Sequence, residues 1–280
     1  MSMGIAKGRK PDYATFAGLA LALAAILGGL ALENGQMQDV AQVTALLIVF
    51  GGTAGAVMVS TPAATLIRAL KHSSVIFFEE PRNDQSLLAR ILHFAMLARR
   101  GGITSIEAQA LQVEYPLLRK GLSLAVDGVD TIEIRRQMEL EVRVGEERAE
   151  EDARVFEAAG GYAPTIGIIG AVLGLIQVMK HLDAVSEIGK GIAVAFVATV
   201  YGVASANLLL LPAAAKLRFR ARREMQTQEL IVEGVLAIAE GLNSHLIRMR
   251  LENFLEQKAL MPVVIPSASK HHAATGRANL

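Results

Sequence analysis

Four apolar stretches without Asp, Glu, Lys, Arg or His divide the chain, at residues 14–32, 40–67, 158–179 and 191–215. A helix needs about 20 mainly apolar residues to cross roughly 30 Å of hydrocarbon, and each stretch is long enough. The pattern predicts an all-α integral membrane protein with four transmembrane helices. Lys7, Arg9 and Lys10 precede the first stretch as in a signal peptide. Its apolar part outruns an h-region and a second uncharged span follows closely, so it reads as a retained anchor.

The polar remainder has helical periodicity. Asn83 or Asp84 can cap a helix in which Leu88, Ile91, Leu92 and Ala95 recur at helical spacing, and Gly101-Gly102 ends it. Thr104-Ser105-Ile106-Glu107 has the form of a capping box for the next helix. Pro116 suits the first turn of another and Gly128 its stop. From Asp130 a charge-rich pattern runs straight into the third span. The tail extends the fourth span from Lys216 to about Gly241, with a short amphipathic helix over 246–254. The expected organisation is a leader (1–13), two spans (14–67), a helical segment (68–157), two spans (158–215), a helical tail (216–258) and a disordered end (259–280). Neither soluble segment is expected to carry a large core of its own.

Flanking charge predicts orientation, because Lys and Arg stay preferentially in the cytoplasm. The leader holds three such residues, Arg68 and Lys71 follow the second span, and Lys216, Arg218, Arg220, Arg222 and Arg223 follow the fourth. The link 33–39 holds none, and the link between spans three and four holds only Lys180 and Lys190. Both termini and the middle segment are therefore expected inside. Whole-chain charge, 28 Lys and Arg against 27 Asp and Glu, gives no footprint for nucleic acid. Zero cysteines exclude disulfides, thiolate metal sites and cysteine nucleophiles.

Within the spans the chemistry is sparse. Gly51 and Gly55, one turn apart, would let another helix approach closely, and Gly167, Gly170 and Gly174 form a smooth packing stripe. Pro164 weakens the third helix near its cytoplasmic end. A phosphate-cradling loop needs a strand before the glycines and a Lys-Ser/Thr after them, and neither is present. In the fourth span Thr199, Tyr201, Ser205 and Asn207 precede Pro212. Thr199 can line a polar path or bond back to its own helix, and both readings stand. Proton relays in membranes run through ionisable groups, and these spans supply none. Either no proton moves, or a partner helix lends the titrating carboxylate. The acidic run Glu146, Glu147, Glu150, Glu151 and Asp152 is interleaved with Arg143, Arg148 and Arg154, the signature of a solvated, self-paired helix face and not of a metal site. His271-His272 lies in the tail and reads as no metal site. No nucleophile–base pair marks an enzyme, and no cofactor is expected.

The segments Gly160-Gly-Tyr-Ala-Pro-Thr-Ile-Gly-Ile-Ile-Gly-Ala-Val-Leu-Gly-Leu-Ile176 and Gly191-Ile-Ala-Val-Ala-Phe-Val-Ala-Thr-Val-Tyr-Gly202 resemble the MotA family of flagellar stator proteins, which includes PomA and MotC. Asn207-Leu-Leu-Leu-Leu-Pro212, Ile238-Ala-Glu-Gly241 and the order of spans agree, and the MotC-like branch is the most similar. ExbB and TolQ proteins share the style of the last two spans but place their long cytoplasmic loop after the first span. An ExbB/TolQ-like energiser is thus the runner-up, and a non-conducting membrane scaffold the alternative from another class.

The resemblance implies a stator subunit in the bacterial inner membrane, a homo-oligomer (a pentamer in the family). It surrounds a pair of MotB-type helices whose aspartate takes and releases the ion. Prolines matching Pro164 and Pro212 support the channel and its conformational coupling. Thr199 lies near the ion path, with Tyr201 less directly placed. Ala171 stands where sodium-driven members have threonine, which removes an oxygen ligand from a hard cation and points to protons. Rotor-facing charges match Arg99 and Glu107, with Gly102 between them and Arg100 extending the basic patch towards the rotor protein FliG. Glu107 can also close the Thr104 capping box, and Arg99 and Arg100 also suit a helix C-terminus. Surface pairs contribute about 0–1 kcal/mol each, so torque transfer has to rely on several contacts.

Overall fold

The computed structural model describes residues 10–34, 40–79, 84–180, 183 and 185–260. Most of the leader, Asn83 and the end of the tail with His271-His272 lie outside the described residues. Helix α1 (Tyr13–Leu32) starts from Asp12, whose side chain accepts from the Thr15 amide at 3.2 Å. Helix α2 (Val43–Ser60) contains a π-turn at Leu47–Gly51. It stops earlier than the expected residue 67. Pro62 has no N–H and disfavours a helical Thr61, which is extended. Helix α3 (Ala63–His72) then resumes after that break. A two-residue strand β1 (Lys10–Pro11) pairs antiparallel with β2 (Phe78–Glu79), a feature with no sequence signal.

Helix α4 (Asp84–Gly101) ends where expected, with Gly102 at φ 80°. The capping box at Thr104 does not form. Ile103–Ile106 is a 3₁₀ turn with no side-chain cap, and Ser105 Oγ donates instead to the carbonyl of Gly102 at 2.7 Å. Gly102 turns the chain so tightly that the next donors are satisfied within the turn, leaving Glu107 to open a single helical turn, Glu107–Ala110. Helix α5 (Pro116–Val126) has Pro116 in its first turn and is closed by Gly128 at φ 73°. The 50-residue helix α6 (Thr131–Lys180) is capped by Asp130, which accepts from the Ile132 amide at 2.7 Å. At 1.5 Å per residue it is about 75 Å long. It therefore serves as third span and soluble rod at once. Helix α7 (Val185–Ser205) continues through a π-turn (Ala206–Leu210) into α8 (Leu211–Ala239), and α9 (Ser244–Leu260) completes the described chain.

Four helices are long and apolar enough to cross a membrane: Tyr13–Leu32, Val43–Ser60, Thr131–Lys180 and Ile188–Ala239. Neither soluble segment has a large core alone, but the two share one, which the sequence did not lead us to expect. Leu87 and Ile91 of α4, Leu118 and Leu122 of α5, Ile134 and Met138 of α6, Ile231 and Leu236 of α8, and Ile247 and Leu251 of α9 are all buried in one cluster. Middle segment and tail thus build a single helical domain together. Each supplies an apolar face that the other covers.

Candidate functional site

The centre of the membrane layer is the pair α6–α7. Lipid tails offer helices no hydrophobic reason to associate, so close backbone approach through small residues has to hold them. A Cβ on Gly167 would sit 2.8 Å from the Ala198 carbonyl oxygen, one on Gly170 2.7 Å from Ala198 Cβ, and one on Gly174 2.7 Å from the Gly191 carbonyl oxygen. The contact is two-sided. Cβ atoms on Gly191 and Gly202 would lie 2.9 Å and 2.5 Å from the carbonyl oxygens of Gly174 and Ala163. These two glycines were not singled out from the sequence, although their place in a glycine-bearing span was the available signal. In α2 the expected glycines meet no neighbour within this chain. Nothing lies within 4 Å of a Cβ on Gly51 or Gly55, whereas Gly52 faces Ile166 Cγ2 at 2.7 Å.

Pro164 sits inside an unbroken α6. Its missing N–H leaves the Gly160 carbonyl without the usual helical donor, a local weakening within a continuous helix. Thr199 is half-buried and its Oγ1 donates to the Ala195 carbonyl at 3.2 Å. Ser205 Oγ donates to Gly202 at 3.2 Å and Asn207 Nδ2 to Val203 at 2.9 Å, so these polar groups turn to their own helix. Tyr201 differs. Its hydroxyl donates to the Val40 carbonyl and its ring lies 6.3 Å from Phe50, which fastens the start of α2 onto α7. Ala171 is half-buried on α6, and Pro212 is exposed in the first turn of α8. The sequence-predicted residues therefore lie on α6, α7 and the start of α8 and do not converge on a closed pocket within a single chain. Large side chains of the pair, including Ile168, Val172, Phe196 and Val203, remain exposed.

Below this layer lies a charged collar that the sequence reading misjudged. The acidic run is only partly the self-paired, solvated face expected: Glu146, Glu147 and Glu151 are exposed, but Asp152 is buried and Glu150 also pairs with Arg218 of α8. The Asp152 side chain is 4% exposed, receives Arg68 Nε at 2.7 Å, and lies 2.7 Å from His72 Nδ1. Arg68 Nη2 also reaches Glu151 at 2.6 Å. Arg218 of α8 bridges Glu157 at 2.5 Å and Glu150 at 2.9 Å. Hydrogen bonds from Arg218 hold both carboxyls below the usual range, and those two carboxylates push the guanidinium upward. Of the expected pairs along the helix, Arg154–Glu150 closes at 3.4 Å. A second knot joins α1 to α8. Lys216 Nζ donates to Asp12 and to Thr15 Oγ1, and Arg220 Nη2 reaches Asp12 at 3.2 Å. Lys216, the main cause, holds the Asp12 carboxyl down to about 2. Among the described residues no group of His, Asp and Glu could hold a metal ion.

Arg99 and Arg100 lie exposed in the last turn of α4, and Glu107 lies exposed just past the Gly102 turn. None of the three makes an ion pair among the described residues. They occupy the helical domain, remote in sequence from the spans.

The sequence profile described as Motility protein A N-terminal matches residues 16–102, and that of the MotA/TolQ/ExbB proton channel family matches 109–230. Motility protein A of Bacillus subtilis is 35% identical over 88% of this chain and 92% of its own length. The chain belongs to the MotA family. Chemotaxis protein PomA of Vibrio alginolyticus is 32% identical over 88% of this chain and 96% of its own. Among solved structures, that of Campylobacter jejuni MotAB superposes with a TM-score of 0.82 at 32% identity, covering 92% of this chain and 99% of that one. The MotAB stator complex of B. subtilis gives 0.81 at 35% identity, covering 89% and 98%. MotA-family membership and four apolar helices make the chain a multi-pass protein of the inner membrane.

Proposed function

We propose that the chain is a flagellar stator subunit which, with a MotB-type partner, conducts ions across the inner membrane and converts that flow into torque. The supporting observation is a tightly packed helix pair, α6–α7, with no Asp, Glu, Lys, Arg or His in residues 158–179 or 191–215, in a chain that superposes on two MotAB structures. A wall of this kind has its polar groups satisfied within the chain and carries no carboxylate, so the proton acceptor has to come from the partner's helix. Thr199 lies on this wall, Ala171 gives it no oxygen ligand for sodium, and Pro164 and Pro212 are points where it yields. Exposed apolar side chains on the pair suit lipid and further copies of the chain, a pentamer in this reading. Both termini and the helical domain are cytoplasmic, with the spans at 14–67 and 158–215. Arg99, Arg100 and Glu107 then face the rotor protein FliG.

Two measurements check this. Co-expression with the MotB-type partner lacking its plug acidifies the cytoplasm, whereas the chain alone leaves it unchanged; no leak with the partner present rejects the channel in favour of a scaffold. Arg99→Glu lowers swimming speed severalfold at normal protein level, and a charge reversal in FliG restores part of it. Wild-type speed in Arg99→Glu removes that residue from the rotor contact.

A further inference from the structure

No residue of α1 is buried. Its fastenings lie at its foot: the Asp12 and Thr15 contacts with Lys216, and Phe16 against Phe77 at 5.8 Å between ring centroids. Above that foot a cleft of about 520 Å³ separates α1 from the π-turn at 207–210 and the start of α8. That volume falls within the range of roughly 300–1,000 Å³ typical of small-molecule sites. Gly18 and Ala22 line it from α1, Phe77 and Phe156 close its base, and Leu210 and Ala213 form the far wall. A Cβ on Gly18 would meet nothing within 4 Å. Lys216 lines the cleft at the level of Thr15. Among the side chains described, Lys216 and Arg220 share one carboxylate, Asp12, leaving one positive charge in excess; Arg220 stands behind Lys216, outside the cleft's lining, and also donates to the Phe78 carbonyl. Lys216 is only 24% exposed and Arg220 17%.

An apolar cleft beside the first span, with surplus positive charge where the spans meet the polar domain, is complementary to one kind of molecule. We propose that it holds an acyl chain of an anionic phospholipid, whose phosphate is received by Lys216 and Arg220. The lipid fills the space that α1 does not and props that helix against the bundle. The inference needs the helices to be in a bilayer and does not depend on ion conduction or on torque.

The test uses the whole stator complex, extracted from membranes, exchanged into detergent and supplied with phosphatidylglycerol or phosphatidylethanolamine. Retained phospholipid is then counted by native mass spectrometry. Phosphatidylglycerol is expected to be kept severalfold over phosphatidylethanolamine. Gly18→Phe, whose ring projects into the free space, is expected to lose most of that retained lipid with the mass of the protein assembly unchanged. Lys216→Gln also loosens the foot of α1, so Gly18→Phe carries the decision. A photo-crosslinking residue in place of Ala22 is expected to capture phospholipid. Equal retention by wild type and Gly18→Phe, no preference for the anionic lipid, or capture of a second copy of the chain from position 22 would overturn the proposal.

Discussion

Gly202→Val is expected to abolish motility and deplete the assembled protein from membranes. The added Cβ would fall 2.5 Å from the Ala163 carbonyl oxygen and 3.2 Å from Gly167 Cα. Both obstacles are backbone of a continuous 50-residue helix, so no side chain can rotate away. Overpacking a side-chain core costs about 1–3 kcal/mol, and a clash with backbone lies at or above the top of that range. The interface has little else to offset it, because association of helices in lipid relies on close packing. Gly55→Ala is the matched control. Its Cβ meets nothing within 4 Å, so protein level and swimming should stay near wild type. Immunoblots of membrane fractions beside swim assays read both variants. Normal assembly of Gly202→Val would mean that α6 and α7 do not approach each other along this glycine line.

The two glycine variants also mark how far the sequence could be read. That spans 158–179 and 191–215 would pack through small residues was legible, because glycines at helical spacing are a local pattern. Which glycine of α2 touches a neighbour was not legible. Gly51, Gly52 and Gly55 all look suitable in the sequence, and the choice of Gly52 follows from how α2 lies against Ile166. Local punctuation was readable for the same reason as the spans. Pro116 opens α5, and Gly102 and Gly128 take the positive φ that ends α4 and α5. Thr104 shows the limit: its motif is correct and its box is absent, because the preceding glycine turn had already satisfied the nearby donors.

The helical domain was missed for a different reason. Its core joins Leu87 and Leu118 to Ile231 and Leu251, and pairings of such separation leave no periodic trace. Each amphipathic face announced that it needed a cover without saying which. Polar side chains of the fourth span divide in the same way. Thr199 and Asn207 follow the local rule of bonding back to their own helix. Tyr201 reaches the carbonyl of Val40 instead, a partner only the assembled spans provide.

Asp152 is the clearest case in which tertiary structure reversed a sequence reading, and it carries the second large expectation. Within a run of alternating charges it looks like a solvated residue, yet its side chain is 4% exposed and faces Arg68 and His72 of α3. The contact binds the helix that follows the second span to the rod that becomes the third. Asp152→Ala should therefore lower the stability of the extracted complex. Removing one partner of a fully buried pair costs about 3–5 kcal/mol. Here Arg68 is 29% exposed and keeps Glu151 at 2.6 Å, and His72 is 56% exposed, so solvent and a second carboxylate absorb part of the loss. On the order of 2 kcal/mol is expected once that relief is discounted from the buried-pair value. Arg68→Leu alone leaves Asp152 with His72 and should cost a similar amount, because the buried carboxylate loses its one permanent cation. The double variant Arg68→Leu/Asp152→Leu removes both charges and should be more stable than the sum of the single changes predicts, the sign of direct coupling. Thermal unfolding in a fixed detergent measures all of them. Strict additivity, or an unchanged midpoint for Asp152→Ala, would mean that the collar does not fasten α3 to α6.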